Sequence, residues 1–334
     1  MKPPPPSIRL VEVSPRDGLQ NIPSIIPTQT KLDLIRRLST TGLNTVEITS
    51  IVSPRAIPQL SDCREVLDHE IIQNFHRIPV MRLPVLVPNL KGLEIALQHG
   101  VREVAVFISA SEGFSRANIN CSVEEGIGRA KMVAERAREA GVAVRGYISC
   151  IFTDPITQTP TPPASVLSCT KLLLAAGVYE VSLGDTTGMG TPESVRDLLT
   201  YLSDYSIPVS KLAGHFHDSH GRGIDNVWEA YCCGVRVFDS SVAGLGGCPF
   251  APGARGNVAT EEVVRFFESM GVETGVDVRA LGEVARWVQD VISQRVKPPA
   301  SASKPSPQLS HRITGVTWGT QTGFGLVRPV GYER

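Results

Sequence analysis

Apolar, β-branched runs of five to seven residues recur along the chain at 8–13, 45–49, 83–87, 103–108, 143–149, 179–183, 211–217 and 235–240. Between most of them lie stretches with helical spacing, such as 28–38, 123–140, 165–175, 192–202 and 225–232. The first rhythm predicts buried strands and the second amphipathic helices. Several helical stretches end on a glycine that leads straight into the next strand, at Gly42, Gly100, Gly141, Gly177 and Gly234. Glycine just past a helix end is the residue expected for a left-handed cap. Eight β/α units in about 250 residues match a closed (β/α)8 barrel in count and size. An open doubly wound sheet is the alternative, and the lack of a GxGxxG turn after the first strand counts against it.

Helical spacing continues over 261–271 and 278–293, so additional C-terminal helices should follow the barrel. The segment 297–308, KPPASASKPSPQ, reads as a disordered linker, and the glycine-rich remainder is too small for a domain. The expected division is a TIM-barrel domain over 1–295 and a poorly ordered Pro/Ser-rich and glycine-rich tail over 296–334.

Composition narrows the function. Of 334 residues 42% are hydrophobic and 20% charged, the balance of a globular protein with a sizeable core. Thirty-three basic residues match 33 acidic ones, so the basic excess of a nucleic-acid or membrane-surface binder is absent and a small-molecule partner is favoured. Cysteines at 63, 121, 150, 169, 232, 233 and 248 form no CxxC pair, which fits a reducing compartment. No apolar run is long enough to span a bilayer. The opening MKPPPP carries neither a secretory signal nor an Arg-rich transit helix, and the final YER is no peroxisomal tripeptide. The cytosol is the expected address.

Chemistry gathers where a barrel places its active site, at the C-terminal strand ends. Strand one runs into VSPRDGLQ (13–20), strand two holds Glu47, strand six runs into GDTTG (184–188), and strand seven ends in HFHD (215–218). Residues two apart on a strand share a face, so His215 and His217 point into one cavity, close enough for one metal ion. Asp17 adds a carboxylate oxygen and Asn257 an amide oxygen. Two nitrogens and two oxygens without thiolate suit a partly hydrated divalent ion, Mg²⁺ or Mn²⁺ ahead of Zn²⁺. Arg16 is either a structural ion pair or the cation that stabilises a developing enolate. Cys248 lies in the glycine- and proline-rich stretch 240–257, where a thiol on a closing loop can move a proton at carbon. Asp218 and His220 read either as support for the histidines or as turn residues.

These segments together closely resemble the 3-hydroxy-3-methylglutaryl-CoA (HMG-CoA) lyase family of the DRE-type TIM-barrel metallolyases, over roughly residues 8–295. The resemblance rests on VEVSPRDGLQN (11–21), TSIVSPRAIPQ (49–59), PVLVPNLKG (84–92), NINCS (118–122), RGYISC (145–150), SLGDTTGMGTP (182–192), HFHD and DSSVAGLGGCPFAPGARGNVATEE (239–262). It implies that Asp17, His215, His217 and Asn257 bind a divalent metal and that His215 also counts among the catalytic side chains. By the same likeness Arg16 stabilises the enolate, Cys248 is the loop cysteine, and Glu47 and Asp185 are the supporting carboxylates. Gln20, Tyr147 and Thr186 line the substrate. The implied reaction is a metal-dependent retro-Claisen cleavage of HMG-CoA to acetyl-CoA and acetoacetate, with coenzyme A as part of the substrate and a homodimer as the usual assembly.

The chain departs from the family pattern in the segment 151–163, in His220-Gly-Arg222, and in everything beyond Lys297. The segment 152–163 follows strand five at the active-site face and is therefore expected to set the acyl preference. A lyase of the same mechanism for another 3-hydroxy-3-alkyl acyl-CoA is one alternative. A condensing synthase of the isopropylmalate or homocitrate type is another, though it would lack the GGCP cysteine and carry a regulatory domain. An inert barrel kept as a binding scaffold is the non-enzyme reading.

Overall fold

A computed structural model describes residues 7–246 and 256–296. Eight parallel strands form the sheet: β1 (Arg9–Glu12), β2 (Thr49–Ser50), β3 (Val85–Leu86), β4 (Glu103–Ser109), β5 (Ala143–Ser149), β6 (Glu180–Asp185), β7 (Leu212–Phe216) and β8 (Val237–Ser240). Their hydrogen-bonded order is β1-β8-β7-β6-β5-β4-β3-β2. The two outer strands also meet, because Glu12 pairs in parallel with Val46, just ahead of β2. The sheet therefore closes into the barrel that the sequence predicts.

The strands β2 and β3 are shorter than the runs at 45–49 and 83–87. Proline flanks β3 on one side at Pro84 and lies shortly beyond it at Pro88. A proline has no N–H to give a ladder, so pairing here breaks into isolated bridges such as Thr45 with Arg82. Elsewhere both faces are covered, and β4 and β6 are almost wholly buried, as parallel strands under helices must be.

The helices follow the predicted pattern. In Val123–Glu139 the buried positions are Gly126, Ala130, Val133, Ala134 and Ala137, a helical stripe of small residues that seats closely on the sheet. Ser122 and Glu125 close its N-terminus as a capping box. The five predicted glycine caps all take positive φ, from 71° at Gly100 to 103° at Gly234. Two further helices, Thr260–Ser269 and Val278–Val296, follow the barrel. The last lies against Thr28–Ser39, where the Arg37 guanidinium sits 4.5 Å from the Trp287 ring centre. The expected tail at 296–334 lies outside the described residues apart from Val296. No helix among the described residues is long and apolar enough to cross a membrane.

The main apolar core lies between strands and helices. Inside the barrel there is instead a small apolar cluster of Leu86, Ala105 and Tyr147 with Phe107 packed on it. Buried polar groups share the lumen with it. Arg145 is fully buried there and bridges Glu180 and Asp239.

Candidate active site

Strand β1 ends in a single π-helical turn, Ser14–Gly18, in which the amides of Arg16, Asp17 and Gly18 all return to the Val13 carbonyl. Such turns displace side chains from a regular helix and recur at functional sites. This one places Arg16 and Asp17 in the wall of the cavity at the barrel mouth. Glycine is required at 18, because a Cβ there would come within 2.8 Å of Ser241 Oγ. The buried Glu12 anchors the turn: one carboxylate oxygen accepts from Ser14 N at 3.0 Å and Val242 N at 2.9 Å, and the other from the Thr260 hydroxyl at 2.6 Å.

Asp17, His215 and His217 each bring a ligand atom within 4.8 Å of the others. Asn257 joins them through a backbone bridge to His217, and its amide nitrogen donates to Asp17 Oδ2 at 2.7 Å. Its amide would turn over to offer oxygen to an ion. Gln20 donates to Asp17 Oδ1 at 2.6 Å. Burial works to raise the Asp17 carboxyl, but Arg16, His215 and the Asn257 bond outweigh it and hold the group below its ordinary value. Burial, reinforced by His215, pushes His217 down to about 4, so its ring is neutral at physiological pH. His217 Nδ1 is buried with no hydrogen-bond partner. A neutral imidazole and an ionised carboxylate with ligand atoms within 4.8 Å of one another are what a divalent cation needs, so the residues fit the metal that the resemblance implies.

Arg16 is 6% exposed and fixed from two sides, its Nε donating to Glu47 Oε1 and its Nη1 to Asp17 Oδ1. Glu47, fully buried, also accepts from the Tyr147 hydroxyl. Tyr147 in turn lies edge-on to His215, ring centres 6.1 Å apart. Arg16 is thus an ion pair that also faces the cavity. The cavity, about 240 Å³, is lined by Arg16, Asp17, Gln20, Tyr147, Thr186 and both histidines, with Leu86, Phe107 and Phe114 as an apolar wall.

Other residues singled out in the sequence lie away from the cavity lining. Asp185 is buried but does not line the cavity; its carboxylate accepts from Gly190 N at 2.8 Å and closes the loop after β6. Burial raises its carboxyl to about 6 against these bonds. None of residues 152–163 lines the cavity either. Phe152 packs outward with Leu183, Val195 and Leu199, and Asp154 turns the loop on itself by accepting from Ile156 N at 2.7 Å and from the Ser111 hydroxyl. Asp218 takes the turn role, accepting from Gly223 N at 2.9 Å at the start of the helix Gly223–Cys232, and His220 is exposed. Cys248 lies outside the described residues.

Sequence reasoning missed Asp239, the partner of His215: Oδ2 lies 3.2 Å from His215 Nδ1. It also passed over Arg145 and Ser182, which bond the same carboxylate at 2.6 Å each. A usable signal was present. Charged residues inside otherwise apolar strands, two positions from a site residue, point into the lumen with it, as Arg145 does beside Tyr147.

The HMGL-like family model matches residues 7–288. The mitochondrial hydroxymethylglutaryl-CoA lyase of Arabidopsis thaliana is 46% identical over 310 residues, 93% of this chain and 64% of that protein, so the chain spans less than two thirds of that relative. The cytoplasmic 3-hydroxy-3-methylglutaryl-CoA lyase of Rattus norvegicus is 44% identical over 87% of this chain and 82% of its own length. Among solved structures, the HMG-CoA lyase from Brucella melitensis superposes with a TM-score of 0.82 at 46% identity, covering 86% of this chain and 99% of that one. An HMG-CoA lyase from Acinetobacter baumannii, solved with coenzyme A and 3-methylmalate, reaches 0.78 at 33% identity over 90% and 98%.

Proposed function

The chain belongs to the HMGL-like family, and on that footing we propose that it is a divalent-metal-dependent lyase that cleaves HMG-CoA to acetyl-CoA and acetoacetate. The observation that carries the proposal is the convergence of Asp17, His215 and His217 within 4.8 Å, beside an Arg16 fixed by two carboxylates. The shared name of the relatives favours HMG-CoA over another 3-hydroxy-3-alkyl ester, and the condensing synthase is not favoured. The relatives' names include mitochondrial and cytoplasmic forms, and the cytosol with a homodimeric assembly is our proposal for this chain.

Asp17, His215, His217 and Asn257 would hold the metal, Mg²⁺ or Mn²⁺ by donor type. When bound, such an ion supplies Lewis-acid polarisation of substrate oxygens. In the cleavage the 3-hydroxyl loses its proton, the C2–C3 bond breaks, and C3 becomes the ketone of acetoacetate. The bonding pair moves into the thioester enolate of acetyl-CoA, which takes a proton at C2. Arg16 faces the cavity as a fixed cation and would stabilise the enolate oxygen without reorganising. Glu47 and Tyr147 hold its guanidinium, and Gln20 and Thr186 would orient the substrate. Cys248 is the proposed proton carrier at C2.

The test is metal depletion. Chelation should abolish turnover, and Mg²⁺ or Mn²⁺ should restore it; full activity in rigorously metal-free protein would contradict the proposal.

A further inference from the structure

His215 has two ring nitrogens, and only an unprotonated one can bind a metal. Its Nδ1 faces Asp239 Oδ2 at 3.2 Å. Asp239 is 2% exposed and is itself held by two donors: Arg145 Nη2 on Oδ1 and the Ser182 hydroxyl on Oδ2, each at 2.6 Å. Arg145 is locked in turn, its Nε donating to Glu180 Oε1 at 2.8 Å and its guanidinium lying 4.8 Å from the Tyr147 ring centre. Arg145 and the Ser182 hydroxyl both donate to this carboxylate, which favours its ionised form, and an ionised carboxylate can only accept.

We propose that Asp239 is a positioning residue for the metal site, fixing His215 in the Nδ1–H tautomer so that Nε2 is left bare toward Asp17 and His217. The proposal rests on the metal-site reading given above. In Asp239→Asn only one oxygen remains, and the permanently charged Arg145 has no acceptor to offer, so it takes that oxygen. The new amide NH₂ then faces His215, whose Nδ1 must accept. The ring proton moves to Nε2, and the ligand is lost without any change in side-chain volume.

Two measurements on the full chain test this. Long-range ¹H–¹⁵N spectra of the metal-free protein labelled at histidine, assigned by comparison with His215→Gln, report the tautomer directly. The wild type should show His215 as Nδ1–H and Asp239→Asn as Nε2–H. Calorimetric titration with Mn²⁺ should show weakening of about 10–100-fold in Asp239→Asn, the usual effect of losing a group that orients a ligand histidine. A wild-type His215 protonated at Nε2 overturns the proposal even where the variant does not fold. So does a folded Asp239→Asn that binds Mn²⁺ within twofold of the wild type. A wild type that binds no Mn²⁺ strikes at the metal site itself, and the wild-type tautomer still decides this inference.

Discussion

Replacing Arg16 by Gln tests whether one buried guanidinium serves both fold and chemistry. The change removes two charge-assisted bonds, to Glu47 and to Asp17. At about 1.5–3 kcal/mol each, they amount to about 3–6 kcal/mol of lost interaction. Glu47 is fully buried and would keep only the Tyr147 hydroxyl, so the net cost should fall near the 3–5 kcal/mol typical of breaking a buried pair from one side. Loss of one preorganised stabiliser of a developing oxyanion costs about 10²–10³-fold in kcat. Arg16 is also the largest of the influences holding the Asp17 carboxyl down. A depressed carboxyl contributes stability above its unfolded value and loses it as pH falls through the folded one. In Arg16→Gln that loss should therefore be complete at a higher pH, and Mn²⁺ binding should fail there too. Urea denaturation, steady-state kinetics and Mn²⁺ titration across pH 4–7 measure the three effects. A variant that keeps wild-type stability and turns over within threefold of wild type would refute the reasoning.

Two further outcomes follow from the same contacts. Glu12→Gln keeps an oxygen for Ser14 N and Val242 N and can donate to the rotatable Thr260 hydroxyl, so it should be tolerated, whereas Glu12→Ala orphans two buried amides at about 1–3 kcal/mol each. Burial raises the Glu12 carboxyl, so its contribution is complete below the unfolded value and is lost as pH rises through the folded one; the Gln variant should gain on the wild type in that direction, and equal urea midpoints for Gln and Ala would contradict this. Exchanging 153–163 for another loop should leave the kcat/KM ratios among 3-hydroxy-3-alkylglutaryl-CoA esters unchanged, while Phe107→Ala should shift them by about 10–200-fold per methylene toward larger alkyl groups. A loop exchange that redirects the preference would restore the expectation drawn from sequence.

The barrel was legible because its signals are local and repeated: apolar runs, amphipathic spacing, and caps at Gly42, Gly100, Gly141, Gly177 and Gly234. The convergence of Asp17, His215 and His217 was legible because the two histidines lie two residues apart at the end of β7 and Asp17 follows the end of β1, so a barrel brings them together whatever their sequence separation. What escaped the sequence was contact across the lumen. Asp239 and Arg145 are 94 residues apart, and no short pattern announces that pair. The placement of the segment 152–163 away from the described cavity escaped the sequence for a related reason. Its position after β5 fixes where it starts, but the direction it takes depends on Phe152 finding an apolar slot against Leu183 and Val195, which spacing does not encode. The bond from the Gly190 amide to the Asp185 carboxylate, which closes the loop after β6, is likewise not encoded in spacing.

The most direct test of the account is to incubate the purified chain with Mg²⁺ and HMG-CoA labelled with ¹³C at C2 and identify the products by mass. The account predicts acetyl-CoA carrying the label and unlabelled acetoacetate in equal amounts, with no cleavage once the metal is removed. Intact HMG-CoA in the presence of metal, or label recovered in acetoacetate, would contradict it.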